Sequence, residues 1–279
     1  KNTQIPADRT RWGACDILRD KSDRDTRAII DEVSHSGGTP GSAAQKVGDY
    51  YNAYLNQDAI DALALAPIQP ELDRIKALQN HEQVIRLIGD PTVSTNSPIA
   101  IYISLDERNP DRYIPIMTHA GLGLPEREYY RRTDGQFPQI RQQYEAHVAR
   151  MLGLLGDTNA KEEADWIVAL ETRFAKASLD RVALRDPANS YHIVTPAEPD
   201  AKTPHFSWTK FLDKASRGDV KNFSLAQPDF FAAADAALAD VPLAHWQAWL
   251  RWRLVDADAA YLSRPFVDAD FAFRGGLLR

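Results

Sequence analysis

Apolar residues recur every three or four positions along three long stretches of the chain, which is the spacing of one face of an α-helix. The positions that carry this pattern are Ile140, Tyr144, Val148, Met151 and Leu155 in the first stretch, Ile167, Leu170, Phe174 and Ala177 in the second, and Trp246, Trp249, Leu250 and Leu254 in the third. The pattern predicts three long amphipathic helices. Shorter helices are predicted near residues 25–33, 43–55 and 71–78.

A different pattern covers residues 99–117. The run Ile99–Leu105 alternates and is rich in β-branched residues, and turn-forming residues separate it from a second apolar run at 113–117. This predicts one β-hairpin. Pro115 has no N–H to donate, so its strand is expected at a sheet edge or beside a bulge. Four prolines make residues 187–204 the longest predicted loop, and the fold class is mainly α with one small β-hairpin.

Composition narrows the function classes. The 279 residues are 44% hydrophobic, enough for a sizeable core, and carry a net charge of -6 without any run of Lys or Arg. Nucleic acid is therefore not expected as a partner. No apolar stretch approaches the roughly 20 residues that cross a bilayer, so no membrane segment is predicted. The single cysteine, Cys15, excludes an internal disulfide. A chain that begins with Lys and ends without a helix cap is expected to be a piece of something longer.

His81-Glu82-Gln83-Val84-Ile85 invites comparison with the HExxH zinc-binding helix. Ile85 stands where the second histidine should be, and an aliphatic side chain cannot bind a cation. The capping interpretation fits better, with Asn80 as the N-cap residue and Gly89 at the end of the helix.

The other histidines show no pairing at i,i+3 or i,i+4 and have no cysteine beside them to complete a metal site. Residues 36–41 are glycine-rich but do not link a strand to a helix, so they predict a flexible connection and not a phosphate loop. No GxSxG nucleophile elbow is present. No catalytic centre can be identified from the residues alone.

Arg11, Cys15 and Arg19 recur at i, i+4 and i+8, with Asp16 beside them. If this stretch is helical, two guanidiniums share one surface, where they could hold a carboxylate while the acid fixes one arginine. The alternative is a solvated charged face, which is the more common role of such spacing.

Several segments, in order along the chain, resemble the neprilysin and endothelin-converting-enzyme family of zinc metallopeptidases. They are Ile5–Arg19, Gly121–Tyr130, Leu170–Ser178, Gln227–Phe231, Trp249–Val255, and Tyr261–Ser263 with Phe266 and Val267. As an ordered set they are specific to the family, although most have the composition of packing and turn residues. The resemblance spans nearly all of the chain.

The resemblance implies a two-domain enzyme in which a helical cap covers a zinc-binding domain and encloses a chamber for short peptides. Residues 1–279 correspond to the N-terminal, substrate-binding cap region, and the zinc ligands belong to sequence outside this chain. Arg11 and Arg19 match positions that bind the substrate's C-terminal carboxylate, and Asp16 matches the acid that orients the first arginine. Cys15 replaces a phenylalanine that shapes the neighbouring pocket, so side-chain preference there is expected to differ.

The function predicted on this basis is the N-terminal half of a zinc metalloendopeptidase that hydrolyses short peptides, with this half binding the substrate and limiting its size. Its partners are short peptides and the C-terminal zinc-binding half of the same protein, and the chain alone is expected to be inactive. Localisation outside the cytoplasm follows from the resemblance only. The alternative is a non-catalytic helical protein-binding or scaffold module. A reading frame that continues into the zinc-binding motifs HExxH and ExxxD would exclude this alternative.

Overall fold

The computed structural model describes residues 4–90, 92–93, 97–215 and 218–277. The chain forms two compact units, unit 1 (Lys1–Ala62) and unit 2 (Leu63–Arg279). The helices are α1 (Ala14–Ser36), α2 (Ala43–Leu55), α3 (Gln57–Leu63), α4 (Gln69–Lys76), α5 (His81–Ile88), α6 (Glu128–Arg131), α7 (Phe137–Leu154), α8 (Ala160–Ala177), α9 (Pro187–Ser190), α10 (Ala197–Asp200), α11 (Trp208–Lys214), α12 (Pro228–Asp240), α13 (Leu243–Asp258) and α14 (Arg264–Leu277). Among these described helices, none has the length and apolar content that crossing a bilayer requires.

Unit 1 is built around α1 and α2, which lie against each other. Gly37 ends α1 in the left-handed conformation, with φ 73°, and the Ser42 hydroxyl caps α2 by accepting from Gln45 N at 3.2 Å. A Cβ on Gly48 would lie 2.7 Å from the Val33 carbonyl oxygen. A glycine at this position therefore lets the two backbones approach closely.

The helices of unit 1 bury little apolar surface within the unit. None of the described residues of α1 is buried, and Leu18, Ile29 and Leu55 are 66%, 60% and 58% exposed. Several large exposed apolar side chains on a two-helix unit are typical of a surface that another part of a protein covers.

Unit 2 contains the main core, and the three long predicted helices are confirmed as α7, α8 and α13. Val148 of α7 and Phe174 of α8 are fully buried. On α13, Trp246, Trp249 and Trp252 are buried on one side, and Leu254 and Val255 are buried on the others. A helix that is apolar on most of its circumference occupies the interior of a domain, so α13 is central to unit 2.

The predicted hairpin is confirmed as β1 (Ile99–Asp106) and β2 (Asn109–His119), but it belongs to a larger sheet. Two short strands, β3 (Ile193–Val194) and β4 (Phe223–Leu225), complete a four-stranded sheet in the order β1-β2-β4-β3. The expectation of one long loop at 187–204 is therefore wrong, because this segment contains α9, β3 and α10. β4 is parallel to β2 and antiparallel to β3.

Of the two alternatives for the strand that contains Pro115, the edge position is wrong, since β2 lies between β1 and β4, whereas the bulge agrees with the register shift of the β1–β2 pairing between Leu105 and Asp106. Ala120 N donates to the Pro98 carbonyl oxygen at 2.8 Å, and hydrogen-bonded pairs alternate along an antiparallel ladder. The backbone of Pro115 therefore faces away from β1. β4 pairs only with Ile116 and Met117, so the missing N–H leaves no ladder bond unmade.

Asp106 fastens the hairpin turn to the segment that leads into β3. Its buried carboxylate accepts hydrogen bonds from Arg108 N at 2.9 Å, Arg112 Nε at 2.7 Å and the Tyr191 hydroxyl at 2.6 Å. The Tyr191 hydroxyl, with the Arg108 N–H and the Arg112 guanidinium, lowers the pKa of Asp106 from 3.8 to about 2.

We expect this contact to weaken in acid. Because the pKa of Asp106 is lower in the folded chain than in the unfolded chain, its stabilisation is present above pH 3.8 and is lost as pH falls towards 2. The protection of the hairpin amides against hydrogen exchange, relative to the intrinsic rate at each pH, should therefore fall over that window, and Asp106→Asn should remove the fall. Asp111→Asn, at an exposed position on the same strand, is the control. An unchanged profile in Asp106→Asn would contradict the prediction.

Candidate functional site

The four residues predicted from the sequence to bind substrate lie at the start of unit 1. Arg11 is in the residues before α1, whereas Cys15, Asp16 and Arg19 lie in its first two turns. Because the helix begins at Ala14, helical spacing relates Cys15 to Arg19 but does not extend to Arg11. The structure therefore brings the four residues together on one short segment, though not all on one helical face.

Asp16 stabilises the beginning of α1. Its Oδ2 atom accepts a hydrogen bond from Gly13 N at 3.0 Å, which satisfies one of the backbone donors that a helix leaves free at its first turn. Among the described residues, Arg11 makes no ion pair with this carboxylate. The orienting role that the resemblance implies for Asp16 stays a prediction.

Both candidate guanidiniums are accessible. Arg11 and Arg19 are exposed, and neither forms an ion pair with the part of the chain that the structure describes. The neighbouring Arg9, by contrast, pairs with Asp20 at 3.3 Å. Cys15 is an exposed free thiol. Two accessible guanidiniums near each other in sequence can receive a carboxylate, whose two oxygens match the geometry of an arginine fork.

The His81 segment has the structural role expected of it. The Asn80 side chain accepts from Gln83 N at 3.0 Å and so caps α5, and Ile85 is 2% exposed in the core. His81 Nε2 lies 3.0 Å from the carbonyl oxygen of Val241. The capping interpretation is confirmed.

A group that could in principle hold a cation was not predicted from the sequence. In the described ranges, ligand atoms of His147, Asp256 and Asp270 lie within 4.8 Å of one another. Arg274 donates to both carboxylates, with Nε 2.7 Å from Asp270 Oδ1, and Arg253 lies 3.2 Å from Asp256. Guanidiniums already neutralise the acids, so these residues do not fit the zinc that the resemblance implies for the full enzyme.

A buried polar network surrounds Glu171 of α8, which is fully buried. Its Oε2 atom accepts hydrogen bonds from the hydroxyls of Tyr130 and Tyr144, both at 2.7 Å, and from Gly123 N at 3.3 Å. The Tyr144 hydroxyl also accepts from Trp252 Nε1 at 3.0 Å. We call these five residues the Glu171 cluster. It joins α6, α7, α8 and α13.

The Glu171 cluster explains one segment of the family resemblance, Gly121–Tyr130. A Cβ on Gly123 would lie 1.8 Å from the Tyr144 hydroxyl, so only glycine allows this approach. Leu124 N donates to the Tyr130 hydroxyl at 2.9 Å, which fixes the loop to the cluster. Burial raises the pKa of Glu171, and Arg253 and the two tyrosine hydroxyls oppose that shift. These contacts hold the fold together and include no reactive geometry.

One sequence signal could have identified Glu171. It lies four residues after Ile167 and three before Phe174, and therefore on the apolar face of the predicted helix. A carboxylate on a buried face requires partners, and the tyrosines of a distant segment supply them. Spacing within one helix could not have identified those partners.

Comparison with known proteins gives a consistent result. The model of peptidase family M13 matches residues 1–279. Endothelin-converting enzyme-like 1 of Mus musculus is 25% identical over an alignment of 282 residues, which covers 95% of this chain and 36% of that protein. Endothelin-converting enzyme 1 of Cavia porcellus is 24% identical over an alignment of 290 residues, which covers 98% of this chain and 38% of that protein.

Comparison with solved structures gives the same result as comparison with sequences. The zinc metalloprotease Zmp1 of Mycobacterium tuberculosis, in its open state, superposes with a TM-score of 0.89 at 31% identity, over 99% of this chain and 43% of that one. PepO of Lactobacillus rhamnosis has a TM-score of 0.76 at 16% identity, over 99% of this chain and 44% of that one, which shows a shared fold. The chain thus spans less than half the length of each of these relatives.

Proposed function

The chain belongs to peptidase family M13, and from this membership we propose that it is the N-terminal, substrate-holding part of a zinc metalloendopeptidase that hydrolyses short peptides. The observation that carries the proposal is the accessibility of the Arg11 and Arg19 guanidiniums, which no described acid pairs. We propose that these two guanidiniums bind the C-terminal carboxylate of the peptide. Asp16 supports the first arginine, and Cys15 forms part of the adjoining wall.

The zinc and its ligands are assigned to the part of the relatives that this chain does not match. That part supplies the metal that activates water for peptide hydrolysis. The residues of this chain bind the peptide, orient it and limit its length, so that the scissile bond is presented in a fixed position. We place the protein outside the cytoplasm, by resemblance to ectoenzymes of the family.

The apolar surface of unit 1 supports a further partner within the same protein. Leu18, Ile29 and Leu55 are exposed apolar residues on α1 and α2, and a surface of this kind calls for a covering element. We propose that the zinc-binding half of the protein packs on these two helices, which would hold the arginines beside the peptide chamber.

The 279-residue chain alone should be catalytically inactive, because it lacks a fitted metal site among its described residues. The measurement is hydrolysis of a quenched fluorescent peptide by the purified chain, with and without a chelator, beside the full-length enzyme. Chelator-sensitive peptide hydrolysis by the chain alone would contradict the assignment of the zinc site to the other half of the protein.

In the full-length enzyme, Arg11→Ala should weaken the transition-state binding of peptides with a free C-terminal carboxylate by roughly 1.5–3 kcal/mol, which is about tenfold or more in kcat/KM. The reason is that the carboxylate loses a charge-assisted hydrogen bond. The same peptides with an amidated C-terminus should be much less affected.

Arg24→Ala provides the control for this experiment, because Arg24 is also an exposed arginine of unit 1 and lies outside the predicted pair. It should leave both substrate classes unchanged. If Arg11→Ala reduces kcat/KM equally for free and amidated peptides, Arg11 does not bind the carboxylate.

A further inference from the structure

A cavity of about 330 Å³ lies within unit 2, between residues 119–128 and the segment 179–184. Its volume is at the lower end of the roughly 300–1,000 Å³ typical of ligand sites. Four of its lining residues are leucines, Leu122, Leu124, Leu179 and Leu184, and His119 lies in the same lining as these and four charged residues. The cavity combines an apolar wall with a side chain capable of hydrogen bonding.

The side chain of Gln227 sets the protonation of His119. Its Oε1 atom accepts from Leu179 N at 2.8 Å, so its amide NH₂ group faces the ring and donates to His119 Nδ1. Burial lowers the pKa of His119, which keeps the ring neutral. A neutral ring that accepts at Nδ1 carries its proton on Nε2. Among the described residues, His119 Nε2 has no hydrogen-bond partner.

Gln227 adopts a backbone conformation that side-chain-bearing residues rarely take. Its φ is 62° and its ψ is 65°, in the left-handed region, and the residue is 2% exposed. This strained conformation places one amide group between Leu179 N and His119 Nδ1. Strain of this kind persists where the surrounding structure enforces it, and such positions cluster at ligand sites.

The charged residues around the cavity neutralise one another. Arg181 Nε lies 2.6 Å from Glu126 Oε2, and Arg127 Nε lies 3.3 Å from Glu128 Oε1. Arg127 also donates to the carbonyl oxygen of Ser178. Two cations and two anions leave no net charge to attract an ionic ligand, so the cavity is suited to an uncharged one.

We propose that this cavity binds one uncharged residue of an extended peptide, with its apolar side chain among the leucines and a peptide carbonyl oxygen accepting from His119 Nε2. The hydrogen-bond donor, the apolar wall and the balance of charge each select this class of ligand. The inference shares its ligand class, a peptide, with the proposed function, but no residue of the arginine pair lines the cavity, so the two proposals can fail separately.

The test uses the full-length protein and N-acetyl-leucine N-methylamide, which has a peptide bond on each side of one apolar residue. Binding is measured by saturation-transfer NMR. Leu184→Trp, which fills the cavity, should weaken binding at least tenfold. Val182→Trp, at a neighbouring position that is 77% exposed and does not line the cavity, should bind as the wild type does. Equal binding in both variants, or an equal loss in both, would overturn the proposal.

A second measurement does not depend on the folding of Leu184→Trp. The His119 Nε2 resonance is identified as the one that is missing from the ¹⁵N-histidine spectrum of His119→Gln. In the wild type, this resonance should shift as N-acetyl-leucine N-methylamide saturates the protein. N-acetyl-leucine and leucine N-methylamide, which carry one charge each, should bind at least tenfold more weakly. A stationary His119 resonance, or tighter binding of either charged analogue, would overturn the assignment.

Discussion

Replacing Glu171 with alanine should lower the free energy of unfolding by about 3–5 kcal/mol, because three buried donors lose their acceptor together. The hydroxyls of Tyr130 and Tyr144 and the N–H of Gly123 would each remain buried without that partner. The Glu171 cluster joins four helices of unit 2, so the loss should affect the whole unit.

Urea unfolding followed by circular dichroism measures this effect. Glu171→Gln keeps the shape of the side chain and should have a smaller effect than Glu171→Ala. Glu162→Gln, at an exposed position on the same helix, should change stability by no more than about 0.5 kcal/mol. If Glu171→Ala changes stability as little as this control does, the cluster is not a major source of stability.

The unfolding free energy should fall by about 3 kcal/mol as the pH is lowered from 6.5 to 4, through His147. Burial lowers the pKa of this ring from 6.5 to about 4, and the ring is stacked on Phe273 with its edge against Trp252. In that window the unfolded chain binds a proton that the folded chain does not. Acid therefore favours unfolding until the pH reaches the folded-state pKa.

Chemical denaturation at a series of pH values tests this expectation. His147→Phe preserves the stacking and should remove most of the decline. His245→Phe is the comparison, because His245 is only partly buried and stacks on Trp166 at a centroid distance of 4.0 Å. If the unfolding free energy of His147→Phe falls with pH as much as that of the wild type, another titrating group causes the fall.

Much of the helical framework could be predicted from sequence because its signal is local. The apolar residues of α7, α8 and α13 recur at a period that a single stretch reveals, and the Ser42 and Asn80 caps adjoin the helices that they begin. The start of α1 was less certain, since Arg11 and Cys15 have helical spacing although the helix begins between them.

The sheet could be predicted only in part. β3 has two residues and β4 has three, which is too few for an alternating pattern, and β2, one of the two partners of β4, lies more than one hundred residues earlier in the chain. The same limit applies to the cavity, where Gln227 reaches His119 across 108 positions. Sequence spacing describes neighbours along an element, whereas these contacts depend on how distant elements pack.

The distribution of tryptophan has a practical consequence for spectroscopy. Five of the six indoles lie in unit 2, and those of Trp208, Trp246, Trp249 and Trp252 are shielded from water. Intrinsic fluorescence will therefore follow the melting of residues 63–279 and will be nearly blind to α1 and α2, to which Trp12 alone is adjacent in sequence. Loosening of the segment that carries the arginine pair would change the emission of Trp12 alone, against the signal of five other indoles, and an extrinsic dye on the exposed thiol of Cys15 would report it without that background.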